Sequence, residues 1–444
     1  MVRPAVEEHV APRVALRRAT RNRAKMLLRI DRALADGDQE RAKGLQRRLL
    51  SSFSAKLCAV AEVNLKLKSA ERARSRELVA IASQISAYRE TEEDAHAIAL
   101  PKQSNAWRCV TIFGLRRAAL QSLVCTAIRP FHKPDPRQFA ITGGGHNEAA
   151  RHIRQAVADG YTWFVGLDIT SFYNSIERRA LTDIVPAPLG VIEHVIGPPP
   201  AEAICIRKVG MALSGIRLAE ASQSGISQGS RSSPLIAEIV VKRLLTQFPL
   251  DVRIVNVADD FAIMARSKRD ADAVTLALTR AAARSPAGRF QLRPKAHDRA
   301  RRACDGFEFV GYRFRKRRSS VQVEPSDGNL TKFNSRVYEI AVEMERGRPD
   351  AATALRRYVI NWWRAFPLCN AHLAEQDYSW ARHHVREVIR HNRPRLGPLV
   401  QMAMEWEGHT FAPLPHRDER TELARAIRRA HPAHRSRVPH WTST

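Results

Sequence analysis

The sequence predicts an α+β protein, on three observations. Apolar residues recur at three- and four-residue spacing with few helix breakers through the first hundred positions (Leu27, Leu28, Ile30 and Leu34, then Leu45, Leu49 and Leu50), and helical patterning returns beyond position 329. Between these regions lie short runs rich in aromatic and β-branched residues, above all Tyr161 to Ile169. Of the 444 residues 44% are hydrophobic and 27% charged, which suits a globular chain of two to four domains.

Taken in order, positions 96–145 read as loop-rich, because Pro101, Pro130, Pro134, Pro136 and Gly143-Gly144-Gly145 break any long helix. His146 to Ala158 reads as a helix with Ala149, Ile153 and Val157 inward and Gly160 as its stop. Tyr161 to Ile169 is a central strand, and Ser171 is placed to cap a helix over Phe172 to Leu181. Val185 to Pro200 is proline-rich and irregular. Ser232-Ser233-Pro234 opens the next helix, which runs through Ile236, Ile239, Val240 and Leu244 and ends near Pro249. Val252 to Val257 and Phe261 to Ala265 form a hairpin with Ala258-Asp259-Asp260 at its tip. A helix over Arg269 to Arg284, a strand near Phe290 to Leu292, and strands over Phe307 to Arg313 and Ser320 to Val323 complete this unit. Helices are expected over Tyr338 to Met344, Ala351 to Ala365 and Tyr378 to Ile389, before a final stretch rich in Pro, His and Arg that has the composition of a nucleic-acid-binding tail.

Charge narrows the partner. There are 73 Lys plus Arg against 45 Asp plus Glu, a formal net charge of +28, and of the 73 basic residues 13 are Lys and 60 are Arg. An Arg-favouring codon bias explains part of that ratio. Even so, an excess this large needs a polyanion, and the planar guanidinium fork grips phosphate bidentately, so nucleic acid is the expected partner. Arg17, Arg18, Arg21, Arg23 and Lys25 crowd the first helix, either as a solvated face or along a phosphate backbone. No run of about 18 uncharged apolar residues could span a bilayer, and Arg3, Glu7 and Glu8 interrupt the place of a secretory signal, so a cytoplasmic protein without a membrane partner is expected. The six cysteines form no C-x-x-C pair, which argues against a zinc finger and a disulfide framework.

Asp168 alone, at a strand end, is ordinary. Asp259 and Asp260 together at the tip of an apolar hairpin are not, since adjacent like charges are unfavourable unless a cation or exposure relieves them. If the hairpin lies beside the 161–169 strand in one sheet, Asp168 and Asp259 meet as an all-oxygen site of the kind Mg²⁺ prefers. Two such ions about 4 Å apart would activate a primer hydroxyl and neutralise leaving pyrophosphate.

Further segments, in order around these aspartates, carry a resemblance. Leu167-Asp168-Ile169-Thr170-Ser171-Phe172-Tyr173-Asn174-Ser175-Ile176 is similar to motif A of bacterial reverse transcriptases, Gly225-Ile226-Ser227-Gln228-Gly229-Ser230 through Ser233-Pro234-Leu235 to motif B, and Val257-Ala258-Asp259-Asp260 to motif C. Leu292-Arg293-Pro294-Lys295 resembles motif D, and Phe309-Val310-Gly311-Tyr312 resembles the primer-grip motif E. The likeness covers roughly 160–315, with weaker traces around Arg129-Pro130 and around Tyr358 to Trp363. The superfamily spans group II intron, retron and defence-associated enzymes. It implies a right-hand polymerase: a helical basic N-terminal extension (1–100), fingers and palm with an antiparallel sheet (101–325), a helical thumb (326–395) and a basic C-terminal tail (396–444).

By that resemblance Asp168, Ile169, Asp259 and Asp260 lie at the metals, two Mg²⁺ with Mn²⁺ as a substitute, and Lys295 protonates or offsets the departing pyrophosphate. Tyr173 sits where the family crowds the sugar 2′ position. Phe172 beside it is either a second nucleotide contact or, on the residue pattern alone, a core side chain. Gln228 with Gly229 lets the backbone approach the incoming nucleotide. Arg129 and Lys133 are candidates for the triphosphate, and the bare triple Gly before the 146–158 helix is an alternative phosphate cradle. Phe309, Val310, Gly311 and Tyr312 would grip the primer, and Arg313, Arg315, Lys316, Arg317 and Arg318 form a basic strand for the template–primer backbone, or else a solvated edge.

The implied activity is RNA-directed DNA polymerisation on an RNA template, from a DNA or RNA primer, with deoxynucleoside triphosphates and a structured non-coding RNA as partners. Departures refine it. Val257 replaces a more familiar aromatic residue, Glu238 stands where intron-encoded enzymes usually have Asn, and no C-terminal Cys/His cluster is present, a combination similar to phage-defence enzymes. A maturase-like RNA-binding role in a group II intron, or a retron enzyme, is the alternative. A degenerate scaffold is the third reading, disfavoured by the intact Asp168, Asp259 and Asp260.

Overall fold

The structure, a computed structural model, describes residues 12–101, 107–141, 143–207, 215–295, 300–348 and 350–369. The expected helix over Tyr378 to Ile389 and the 396–444 tail lie outside them. The chain divides into two compact units, Met1–Ala149 with Trp163–Arg301, and Ala150–Thr162 with Arg302–Thr444. Among the described residues no helix is long and apolar enough to cross a membrane.

The first unit begins with α1 (Pro12–Ala35), α2 (Gln39–Ser51), α3 (Phe53–Asn64) and α4 (Ser75–Gln84). The turn between α1 and α2 is sharp because Asp38 caps α2, its carboxylate accepting from the Arg41 N–H at 3.0 Å. Of the periodic apolar positions, Ile30, Leu49 and Leu50 face inward at 1% exposure or less, but Leu28 does not and is 56% exposed.

Positions 96–145 are not loop-rich. They hold β1 (Ala95–Pro101), β2 (Trp107–Phe113) and α5 (Leu115–Ile128). Pro101 closes β1 at its last pair with Trp107, where a missing N–H costs little, and Pro130 lies in a 3₁₀ turn after α5. The start of α5 is set by a distant acid: the Glu93 carboxylate accepts from the Arg116 and Arg117 N–H groups at 2.9 and 2.7 Å, satisfying two of the donors a helix start leaves open. These strands form a sheet in the order β2-β1-β4, with β4 (Ile204–Arg207) parallel to β1.

Next come α6 (Gly145–Ala158), β3 (Trp163–Ile169) and the short α7 (Phe172–Ser175), α8 (Leu181–Ile184) and α9 (Leu189–Val191). The helix expected over Phe172 to Leu181 stops at Ser175, because the Glu177 N–H is drawn out to the Ala287 carbonyl at 2.7 Å. Ser171 takes the cap position with φ of 51° and makes no side-chain cap bond. After α10 (Gly215–Gln223), α11 (Ser233–Leu245) is buried along most of its length, and Pro234 sits in its first turn as expected. The hairpin β5 (Ile254–Val257) and β6 (Asp260–Ala265), α12 (Lys268–Ala283) and β7 (Leu292–Pro294) follow. The central sheet runs β5-β6-β3-β7, antiparallel throughout, so the hairpin does lie beside β3. One apolar core joins α1–α5 to α11, α12 and this sheet.

After the two-residue β8 (Arg301–Arg302), the second unit carries β9 (Phe307–Phe309), β10 (Tyr312–Lys316) and β11 (Val321–Pro325) in the order β11-β10-β9. The single strand expected over Phe307 to Arg313 is a hairpin, folded at Val310-Gly311. α13 (Asp327–Glu345) and α14 (Ala351–Ala365) pack through Phe333, Val337, Leu355 and Val359, with the Phe333 and Trp362 rings 4.3 Å apart.

Leu120 of α5 is 1% exposed in the common core and Leu276 of α12 is 50% exposed. Leu120→Ala is therefore expected to cost about 2–5 kcal/mol and Leu276→Ala about 0.5 kcal/mol or less. Urea unfolding of the two variants compares them, and equal midpoints would remove α5 from the core.

Candidate active site

Strand alternation puts Asp168 where it is. Val165, Leu167 and Ile169 are each 1% exposed and enter the core, so Gly166 and Asp168 take the opposite face. In the antiparallel register Asp168 stands opposite Asp260, and the ladder continues past it, with the Ile169 N–H donating to the Asp259 carbonyl at 3.0 Å. The β5–β6 hairpin closes from Val257 to Asp260 through Ala258-Asp259, with Ala258 at φ of 55°. Asn256, 1% exposed, holds this turn: its side-chain amide donates to the carbonyls of Ala258 and Asp260 at 2.9 and 3.0 Å.

The three carboxylates each offer an oxygen, all within 4.8 Å of one another. Burial and the charges of Asp259 and Asp260 push the Asp168 carboxyl up to about 7, the nearby Lys295 ammonium opposing them. Burial and the Asp260 charge also raise Asp259, against Lys295 and Arg108. Lys295 pairs with the Asp260 carboxylate, and its N–H continues the sheet to the Gly166 carbonyl at 3.0 Å. An all-oxygen cluster that holds protons this tightly is suited to a hard divalent cation, whose charge would replace them.

Tyr173 comes to the same place. Its hydroxyl is pushed up to about 12 by burial and by the Asp259 charge. The Tyr173 carbonyl accepts from the Ile226 N–H at 3.0 Å, which brings the 225–230 loop against α7. Only glycine fits this contact, for a Cβ on Gly225 would stand 2.0 Å from the Tyr173 oxygen at φ of +62°. The far end of the loop is tied to β2: the Gln228 carbonyl accepts from the Thr111 N–H at 2.7 Å, and a Cβ on Gly229 would stand 2.4 Å from the Thr111 oxygen.

Other expected residues are placed differently. Phe172 is 2% exposed and meets Phe290 edge-on, so it is a core side chain and lines no open site. Arg129 and Lys133 are exposed, in the 3₁₀ turn after α5 and just beyond it. In the second unit, Phe309 and Tyr312 are 3% and 1% exposed, with Val310-Gly311 as the turn between them. The Tyr312 ring meets Phe366 and its O–H donates to the Ala365 carbonyl at 3.4 Å. The basic strand ends at Lys316: Arg313 and Arg315 share the face opposite Tyr312 and Phe314, Arg313 pairs with Asp327, and Arg317 and Arg318 lie past the strand end.

Four positions near the carboxylates or supporting them were not assigned to the site from the sequence. Arg108 on β2 lies close enough to stabilise the Asp259 charge. Its signal was a β-patterned run, Trp107 to Phe113, hidden behind Pro101. His146, at the start of α6, feels the Asp260 charge, though burial lowers its pKa overall. Glu238, read only as a departure, is 3% exposed in α11 and anchors the 132–141 loop: its carboxylate contacts His132 Nε2 at 3.1 Å and accepts from the Ile141 N–H at 3.0 Å. Asn256 had no local signal, since its partners are set by the turn.

Residues 100–295 match the family model described as reverse transcriptase (RNA-dependent DNA polymerase). That segment, 196 of the 444 residues, holds the three carboxylates and is similar to a reverse transcriptase domain. No curated protein matches the chain. Similar solved structures include an apo telomerase from Candida tropicalis truncated from its C-terminal domain (11% identity, TM-score 0.36, 54% of this chain and 56% of that one). A telomerase from Candida albicans in complex with a TWJ fragment of telomeric RNA follows (9% identity, TM-score 0.35, 72% and 65%), as does a Sicinivirus 3Dpol RNA-dependent RNA polymerase (11% identity, TM-score 0.37, 68% and 64%). The chain thus spans between half and two thirds of the length of these proteins.

A carboxyl raised in the folded state contributes stability that is complete below its unfolded pKa near 4 and is lost as pH rises towards about 7. In chelator, wild type is expected to lose more melting temperature between pH 5 and pH 8 than Asp168→Asn does. Equal losses would mean that Asp168 carries no raised pKa.

Proposed function

We propose that this chain is an RNA-directed DNA polymerase that extends a primer on an RNA template by two-metal phosphoryl transfer. The observation that carries the reading is the convergence of Asp168, Asp259 and Asp260 within 4.8 Å, inside the segment that matches the reverse transcriptase family. Asp168 and Asp259, with the Ile169 backbone beside them, would hold Mg²⁺, or Mn²⁺ in its place. When bound there, the ions supply Lewis acidity for the primer hydroxyl and charge neutralisation for pyrophosphate. Asp260 is the supporting carboxylate, paired with Lys295, while the Asn256 amide holds its backbone carbonyl.

The remaining roles belong to this chain's own groups. Lys295, once Asp260 faces a cation, can turn to the departing pyrophosphate as proton donor or counter-charge. Arg108 approaches from β2 and supplies a guanidinium fork for the triphosphate, a role its position beside Asp259 supports better than the exposure of Arg129 and Lys133 does. Gln228 and Gly229 would stand beside the nucleotide base, the missing Cβ at Gly229 letting their loop close on the Thr111 backbone of β2. Tyr173 is wedged beside Asp259 and would crowd a sugar 2′ hydroxyl. In the second unit, Val310-Gly311 and the face carrying Arg313 and Arg315 would track the primer strand. The finer assignment, a free-standing phage-defence enzyme, is supported by Glu238 at the position where intron enzymes usually carry Asn.

Primer extension on an RNA template with Mg²⁺ tests the reading. Asp259→Ala and Asp260→Ala are expected to lose at least about 10²-fold in rate, the scale of removing one electrostatic stabiliser. Equal incorporation by all three proteins, or by none across templates and metals, would overturn it. For the sugar gate, Tyr173→Ala is expected to raise the ratio of ribonucleotide to deoxynucleotide incorporation, and an unchanged ratio would take Tyr173 out of the nucleotide site.

A further inference from the structure

A second basic site lies on the helical hairpin α1–α2, built from residues that share no member with the carboxylate cluster. A cavity of about 620 Å³ opens there. Arg29 and Arg32, one turn apart near the end of α1, form one wall, and Arg41 and Arg48, two turns apart on α2, form the other. Asp36 is the one acid lining it. All four arginines are exposed, and no described residue engages any of their guanidinium groups. Gly44 lies between Arg41 and Arg48 on the floor, and a Cβ there would meet nothing within 4 Å, so the groove is open at its base.

The basic character continues along α1. Arg18, Arg21 and Lys25 are exposed, and at 100° per residue they fall with Arg29 and Arg32 inside an arc of about 80°. From Arg18 to Arg32 the rise is about 21 Å at 1.5 Å per residue, the length of several phosphates. Unpaired guanidinium groups repel one another, and a row of fixed cations leading into a groove matches a polymer of anions better than it matches one small anion.

We propose that the α1–α2 groove binds the phosphodiester backbone of RNA outside the polymerase site. The site is distinct from the carboxylate cluster, so it holds an RNA segment other than the reacting primer end. Its recognition is by charge and by the forked guanidinium groups, without base reading.

The test is fluorescence anisotropy of a labelled 40-nucleotide RNA hairpin with the full chain, without metal or nucleotide, from 50 to 300 mM salt. It reads binding alone, so its outcome does not depend on whether the chain polymerises. Arg29→Gln/Arg41→Gln/Arg48→Gln is expected to bind at least tenfold more weakly, and the slope of log Kd against log salt to fall by about 2–3, as three lost phosphate contacts require. Gly44→Glu, which adds an acid in open space and removes a helix-weakening glycine, is expected to weaken binding with a melting temperature no lower than that of wild type. Both variants should extend a 12-base-pair primer–template at the wild-type rate. Unchanged affinity and slope in both variants would overturn the proposal. So would competition by tripolyphosphate as strong, per phosphate, as that of unlabelled RNA, which would identify a small-anion site.

Discussion

The pairing of β3 with β6 is the constraint on which the rest depends. It stands Asp168 opposite Asp260, and with the Ile169–Asp259 backbone bond it brings three carboxylates within 4.8 Å. Two charges at that spacing repel by about 3–4 kcal/mol at an effective dielectric of about 20. Against this, Val165, Leu167 and Ile169 bury their side chains on the other face, each contributing about 1.5–3 kcal/mol. Burial wins, and it also fixes the register, because a slip of one residue would drive Asp168 into the core and turn Leu167 to solvent. The acidic face is held in place by the apolar one.

A second layer of support is polar. The 132–141 loop is tied to α11 through Glu238, whose carboxylate meets His132 and the Ile141 N–H and whose carbonyl accepts from Gln138 at 2.8 Å. The same loop is tied to β5, where the Phe139 N–H donates to the Asn256 carbonyl at 2.9 Å and the Asn256 N–H to the Arg137 carbonyl at 2.8 Å. Asn256 then holds the aspartate turn. Buried groups in such a chain must all be satisfied, since each orphan would cost about 1–3 kcal/mol, so the loop, the helix and the turn are specified together.

What the sequence made legible follows from the range of the interactions involved. The β3 strand, the β5–β6 hairpin and α11 are encoded by local period and turn chemistry, and their meeting at Asp168, Asp259 and Asp260 followed from strand alternation once the hairpin was placed beside β3. The short α7 was misread because the bond that ends it, from Glu177 to Ala287, joins positions far apart in the chain. The same holds for α5, whose start is set by Glu93, and for Arg108, whose relation to Asp259 depends on a sheet read as loop. Phe172 was legible as a core residue from its chemistry, while its neighbour Tyr173 needed the fold to show it beside an acid.

Asn256 also bears on how the site ages. Conversion of its amide to an acid would replace a donor by an acceptor facing two carbonyls, and would set a fourth negative charge beneath the other three. That conversion ordinarily begins with the following backbone nitrogen closing a ring onto the side chain. Here the following residue is the β-branched Val257, paired in a strand and 5% exposed, and the amide is 1% exposed with its nitrogen held by two carbonyls. The packing that aligns the aspartates therefore also protects that alignment from slow chemical decay.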